Sequence, residues 1–223
     1  MSFLRKVLAI VWKDVRAELR TKDILSSMLV FAGLSVLIFQ FAFDLRADNV
    51  RLVLPGVLWI AVTFAGVLGL NRSFILEQDR GCMEGLLLAP MDRSAIYFGK
   101  LIGNLLFIAV VELLLLPLMS VLFNVSLLSP TLVLVLALGT LGYAAVGTLF
   151  AALSINTRAR EVMLPILLFP VMIPVFVAGV QAVSGLLDGD TLADIAKWIR
   201  LLLAYDGIFI AAAMILFDYV VEE

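Results

Sequence analysis

Long, largely apolar runs dominate the chain, at 24–43, 52–70, 101–123, 131–153, 161–183 and 202–221. A hydrocarbon core of roughly 30 Å takes about 20 residues of α-helix, so each run predicts one membrane span. The runs 24–43, 52–70 and 131–153 hold no ionisable residue at all. No stretch between the runs is long enough for a soluble domain, so residues 1–223 are predicted as a single all-α polytopic membrane domain with six transmembrane helices. The first run exceeds the apolar core of a secretion signal, and Asp44, Leu45 and Arg46 come after it instead of small residues, so it is expected to stay as an uncleaved anchor.

Ahead of the first span the pattern changes to a helical period. Leu4, Leu8, Val11, Val15 and Leu19 form one stripe, while Lys6, Lys13, Arg16 and Arg20 lie off it. Residues 1–23 therefore predict an amphipathic interfacial helix, with Trp12 at the water boundary and the basic face toward anionic membrane lipids. Such a helix serves as a topology signal, as a surface for a cytoplasmic partner, or as both.

Composition narrows the chemistry. Apolar residues make up 63% and charged residues 15%, far from the balance of a water-soluble domain. The 16 Lys and Arg nearly cancel the 18 Asp and Glu, which speaks against a nucleic-acid partner. With the N-terminus inside, twelve of the basic residues fall on the cytoplasmic side, and only Arg46, Arg51, Lys197 and Arg200 fall outside. Both termini are thus predicted to be cytoplasmic. Histidine is absent and Cys82 is the single cysteine, so no metal site, intrachain disulfide or imidazole base is expected, and no catalytic residue is assigned.

The 71–100 connection is far longer than a turn between antiparallel helices needs. Gly81 and Gly85 can break a helix, residues 86–88 are three leucines, Pro90 is a stop, and Asp92 is placed to cap the next helix. The expected shape is helix, break, short helix, break, helix. Glu77, Asp79 and Glu84 alternate with Arg72, Arg80 and Arg93, a pattern that suits docking of a soluble protein or an ordinary charged membrane boundary.

Within the spans, Glu112 is the outlying polar residue, near the middle of the 101–123 run. An unpaired carboxylate there costs several kcal/mol, so it must be protonated, paired or facing water, with Asn104, Pro117 or another helix as neighbours. Two rows of small residues, Ala61, Ala65 and Gly69, then Thr140, Ala144, Thr148 and Ala152, predict close helix packing within the subunit or across a dimer. Pro170 and Pro174 are expected to distort the fifth span, as a hinge or a plain kink, while Pro165 fits its first turn. Residues 191–203 read as an outer interfacial segment, which leaves Asp206 and Asp218 at the polar ends of the last span.

From residue 55 to 104 the chain reads PGVLWIAVTFAGVLGLNRSF, then Glu77, Gly81 and Glu84 in E-x-x-x-G-x-x-E spacing, LLLAP at 86–90, and Gly99-Lys100. With LLFPVMIPVFVAG at 167–179 and LLLAYDGIF near the end, this resembles the heme exporter protein B (CcmB) family, membrane subunits of the cytochrome c maturation ABC transporter, of ABC-2 permease type. The resemblance implies a homodimer in a bacterial inner membrane, driven by a separate ATPase subunit, CcmA, and associated with CcmC, CcmD and the haem chaperone CcmE. It also implies that Glu77, Gly81, Glu84, Leu86, Leu87 and Pro90 couple the permease to the ATPase, although Cys82 and Met83 depart from the small polar residue and leucine expected there. The sequence has no G-x-x-x-x-G-K-[ST] phosphate loop, so ATP is expected in the partner subunit and haem is expected to be handled by the complex; with no histidine, ligation of haem by this chain itself would have to use Tyr or Met. The competing reading is an ABC-2 permease that exports another amphiphile, such as a lipid, glycan or drug.

Overall fold

The computed structural model describes residues 3–43, 47–79, 92–154 and 160–220, and all regular structure among them is helical. The seven helices are α1 (Phe3–Thr21), α2 (Asp23–Ala42), α3 (Ala47–Asp79), α4 (Arg93–Phe123), α5 (Pro130–Ser154), α6 (Arg160–Asp188) and α7 (Ala196–Val220). Six of them, α2 through α7, are long and apolar enough to cross a bilayer. Leu113, Val121, Ile166, Ile208 and Ile215 are among the many large apolar side chains left exposed. On a water-soluble protein such a surface would aggregate, whereas against lipid it costs nothing.

The helices outrun the apolar runs because charge at a span's end does not stop a helix. At 33 residues, α3 begins before Arg51 and continues past Arg72. In α4 the first turns, from Arg93, precede the third apolar run. Asp92 takes the predicted N-cap position, but its carboxylate makes no bond to the first-turn amides and lies 4.0 Å from Lys6 Nζ. The 191–203 segment is not a separate surface element. Residues 192–195 form a turn, and the rest is the start of α7. Nor do the prolines divide the fifth span. Helix α6 runs unbroken through Pro165, Pro170 and Pro174, and both Pro170 and Pro174 face outward, so neither lines a cavity between helices. Pro165 is the sixth residue of the helix, past the first turn where the sequence placed it, so all three prolines remove a ladder bond that proline cannot donate.

Short connections at 124–129 and 189–195 make the spans they join antiparallel. Asn124 ends α4 in the left-handed region (φ 52°), and Ser129 Oγ accepts from Leu132 N at 3.2 Å to start α5. The centre of the bundle is α5, which packs on α3, α4, α6 and α7. Its glycines admit large partners: Trp59 of α3 lies against Gly139, and Leu70 against Gly147. Reciprocally, Tyr143 of α5 fills the space over Gly66 of α3, and its hydroxyl donates to Thr63 O at 2.8 Å. Helix α2 flanks α3 and α4, and α1 packs mainly on the start of α4.

Candidate functional site

Two groups of polar residues are buried in the bundle, one at the end where α1 lies and one midway along the spans. At the α1 end, the helix presents three faces. Val7, Ile10 and Val11 are buried, with Asp14 and Glu18 continuing that face; Leu4, Leu8, Trp12 and Leu19 are exposed; the basic residues occupy the remainder. The stripe expected from the sequence is therefore divided, with Val11 turned to the protein and Leu4, Leu8 and Leu19 left outward.

The buried face of α1 runs alongside α4. Lys6 reaches Asp92, Val7 and Val11 cluster with Ala95, Ile10 sits on Gly99, and Asp14 lies over Gly103. Lys100, 1% exposed, ion-pairs with Asp14 Oδ2 at 3.0 Å; its ammonium stands 5.4 Å from the centre of the Phe74 ring and 3.5 Å from the Ser73 carbonyl oxygen of α3. The Gly99 contact explains the packing, because a Cβ there would overlap Ile10 and hold α1 away from Lys100. Glu18 is buried as well, and its carboxylate accepts from Ile24 N (3.2 Å) and Leu25 N (2.8 Å). One residue, Lys22 with φ 56°, joins α1 to α2, so a side chain from one helix caps the amides of the next. Arg72 of α3 adds a bond to Ser27 Oγ (3.3 Å) and a pair with Asp23 (3.7 Å), both on α2.

The second group stitches α4 to α5. Glu112, 7% exposed, accepts a short hydrogen bond from Thr140 Oγ1, and Asn104 Nδ2 donates to Thr148 Oγ1 at 3.1 Å. Tyr97 adds a bond to Ala145 O at 3.1 Å. Of the options the sequence left open, Glu112 is thus paired with another helix of its own chain, and the Thr140 row packs within the subunit. Asp206 corrects the expectation of a polar boundary. It lies well inside α7, 4% exposed, its Oδ1 occupying the space a side chain at Gly142 would need, and neither oxygen has a hydrogen-bond partner among the described residues. Asp218 lies in α7 with its side chain outside the described set. At the opposite end of the bundle, Asp194 Oδ2 accepts from Thr191 N (2.8 Å) and Oγ1 (2.7 Å), which holds its carboxyl below the usual aspartate value.

A third feature is an apolar groove of about 380 Å³ between α3 and α6, lined by Trp59, Phe64, Phe169 and Phe176 among others. The Trp59 indole N–H is buried there without a partner among the described residues.

Gly81, Glu84, Leu86, Leu87 and Pro90 lie outside the described residues, as do Cys82 and Met83, and Glu77 is placed only by its backbone in the last turns of α3. What is described is the frame on either side, the end of α3 and the start of α4. Sequence reasoning missed Asp14, Glu18 and Lys100. The signal was available: Asp14 and Glu18 fall at helical spacing on the apolar side of α1, beside Val7 and Val11, and Lys100 stands between Gly99 and Leu101 at the head of a span.

The chain resembles known proteins along nearly its whole length. It is 26% identical over 193 residues to the heme exporter protein B of Pseudomonas aeruginosa, covering 86% of each chain. It is 26% identical over 184 residues to the protein of that name in Rhodobacter capsulatus, covering 81% of this chain and 84% of the relative. Over 176 residues it shares 24% identity with the heme exporter protein B of Paracoccus denitrificans, covering 78% and 81%. The CcmB protein family model matches residues 5–219, from the first turn of α1 to the end of α7, and the chain belongs to that family.

Proposed function

We propose that this chain is the membrane permease subunit of an ABC transporter in cytochrome c maturation, and that it couples ATP hydrolysis by a partner subunit to haem delivery or to release of a haem-loaded chaperone. The observation that carries the reading is the family match across residues 5–219, which takes in every span and the 71–100 connection. The named relatives are heme exporters, and the chain has no phosphate loop of its own, so the engine is a second polypeptide. The partners are a second copy of this chain, the ATPase CcmA, the haem-handling subunits CcmC and CcmD, and the chaperone CcmE, in a bacterial inner membrane with both termini cytoplasmic.

In this mechanism nucleotide-driven closure of the ATPase pushes on residues 71–100, with Glu77, Gly81, Glu84, Leu86, Leu87 and Pro90 at the contact. The push arrives where α3 ends and α4 begins. Those helices abut α5, so the displacement enters the centre of the bundle. Co-purification tests the contact: a tagged chain captures the ATPase, and Glu84→Lys or deletion of residues 82–88 abolishes capture by correctly inserted protein. Unchanged capture rejects the coupling assignment. Covalent haem attachment to c-type cytochromes in a null strain, compared with lipid or drug efflux, separates the haem reading from export of another amphiphile.

A further inference from the structure

We propose that α1 is a moving part of the transmission: it forms one rigid body with the start of α4 and drives α2 through Glu18, with Asp14, Glu18 and Lys100 as positioning residues. This rests on the reading that residues 71–100 receive the push. Three features of the α1 end support it.

The first is the extent of the α1–α4 seam. Contacts run in order from Lys6 with Asp92, through Ile10 with Gly99, to Asp14 with Gly103, which is roughly two turns of α1 and three of α4. A seam of that length with a glycine beneath Ile10 does not slide by small steps, because packed interfaces hop between discrete fits.

The second is the dry ion pair. Lys100 Nζ and Asp14 Oδ2 are 3.0 Å apart, and Lys100 is almost wholly removed from solvent, so sliding α1 along α4 would pull a carboxylate away from a buried ammonium that cannot follow it. The pair therefore penalises relative motion more than it stabilises the fold, and whatever displaces Asp92 and the first turn of α4 displaces α1 with it.

The third is the elbow. Glu18 grips two amides at the start of α2, and only Lys22 intervenes, held in the left-handed region. A single constrained residue and a two-bond cap leave little freedom between α1 and α2, so rotation of α1 turns the foot of α2. Helix α2 packs on α3, and Arg72 ties the same foot to α3. The displacement thus reaches α3 by two routes, directly from residue 79 and around the ring from α4 through α1 and α2.

The test uses the full chain with its ATPase in a null strain and a Cys82→Ser background. Cysteines at Val7 and Ala95, which pack together in the α1–α4 seam, are cross-linked by oxidation. A rigid body tolerates the link, so ATPase capture and covalent haem attachment stay within about twofold of the reduced protein. Glu18→Ala keeps capture but lowers haem attachment at least tenfold, and Glu18→Gln, which retains one acceptor oxygen, lies between. Lys22→Gly keeps every bond and frees only the linker, and it lowers attachment at least threefold with normal abundance, which covers the case in which Glu18→Ala fails to insert. A cross-link that stops activity while capture persists overturns the proposal, as does full activity of Lys22→Gly or of an inserted Glu18→Ala. Failure of the unaltered chain to capture an ATPase overturns the reading beneath it as well.

Discussion

Replacing Thr140 with valine removes one hydroxyl and little volume, and it does so where Glu112 has its interhelical hydrogen bond between α4 and α5. Interhelical side-chain hydrogen bonds in membranes average about 0.6 kcal/mol and reach about 1.7, whereas leaving a buried polar group unsatisfied costs about 1–3 kcal/mol. Glu112 is buried within the bundle and not lipid-facing, so the second figure governs, and Thr140→Val should destabilise by about 1–2 kcal/mol. Glu112→Gln keeps an acceptor toward Thr140 and should cost less than about 1 kcal/mol. Glu112→Leu combined with Thr140→Val removes both partners, and the pair should be less damaging than the sum of its parts by about 0.5–1.7 kcal/mol. Reversible unfolding of purified protein in mixed micelles, read as a four-variant cycle, measures that coupling. Additivity within about 0.3 kcal/mol would show that the bond carries no energy and that the seam is held by packing alone. Haem attachment in the same variants answers the separate question of function, because full activity of both Glu112→Gln and Glu112→Ala would leave the carboxyl with a purely structural role.

Other perturbations read other parts of the structure. Gly139→Ala and Gly179→Ala each put a methyl into the Trp59 ring, and each should lower stability by about 1–3 kcal/mol, whereas Gly69→Ala meets only the flexible thioether of Met28 and should be milder in the same unfolding assay. Lys100→Met leaves Asp14 only its pair with the half-exposed Lys13, 3.2 Å away, and should cost about 1–3 kcal/mol, most of it recovered in Asp14→Leu/Lys100→Met; equal damage in the double variant would refute the ion-pair account. Because Asp194 titrates below its ordinary value when folded, the Thr191 turn is held at neutral pH and released as pH falls through that lowered value. Protection of the Thr191 amide, its exchange compared with the intrinsic rate at the same pH, should therefore fall on acidification in the unaltered protein and be absent at every pH in Asp194→Ala.

The spans are legible in the sequence because hydrocarbon imposes a single rule, an apolar stretch of fixed length, and the chain obeys it from 24–43 through 131–153 almost without exception. Helix ends are not legible from the same rule. Hydropathy marks where the hydrocarbon stops, but backbone bonding carries α3 on to Asp79 and starts α4 at Arg93, because a helix needs no apolar side chains to continue beyond the bilayer. Glu112 stands out as a lone carboxyl in an apolar run, yet sequence cannot choose its partner, since pairing with Thr140 depends on the antiparallel register of two helices. Asp206 reads as a boundary residue because a neighbouring mixed segment looks interfacial; the segment instead folds into α7 and carries the carboxyl inward. Asp14 and Lys100 pass for ordinary inner-side charges because counting charge by loop ignores which face of a helix each one occupies.

The way α5 is built explains why the bundle has one arrangement and where it can change. Lipid offers no hydrophobic reward for bringing apolar helices together, so specificity has to come from shape and from polar bonds. In α5 both are concentrated: Gly139 and Gly147 receive Trp59 and Leu70, Tyr143 in turn covers Gly66, and Thr140 and Thr148 hold Glu112 and Asn104. The α4–α5 seam thus carries three side-chain hydrogen bonds, counting Tyr97 to Ala145 O, and sliding one helix by a turn would break them together. Across the same helix, Asp206 faces Gly142 with no bond to lose among the described residues. A displacement arriving at the start of α4 would therefore carry α5 along and part the bundle preferentially on the α7 side, where a carboxyl stands ready to take a water or a donor once space opens. Separate substitutions probe the two seams: a cross-linked pair of Asn104→Cys with Thr148→Cys should leave transport intact apart from the lost bond, whereas Gly142→Ser, which crowds the Asp206 side without touching α4, should stop it. The opposite ranking, with the α4–α5 link blocking transport and Gly142→Ser tolerated, would place the moving seam on the hydrogen-bonded side and refute the argument from bonding.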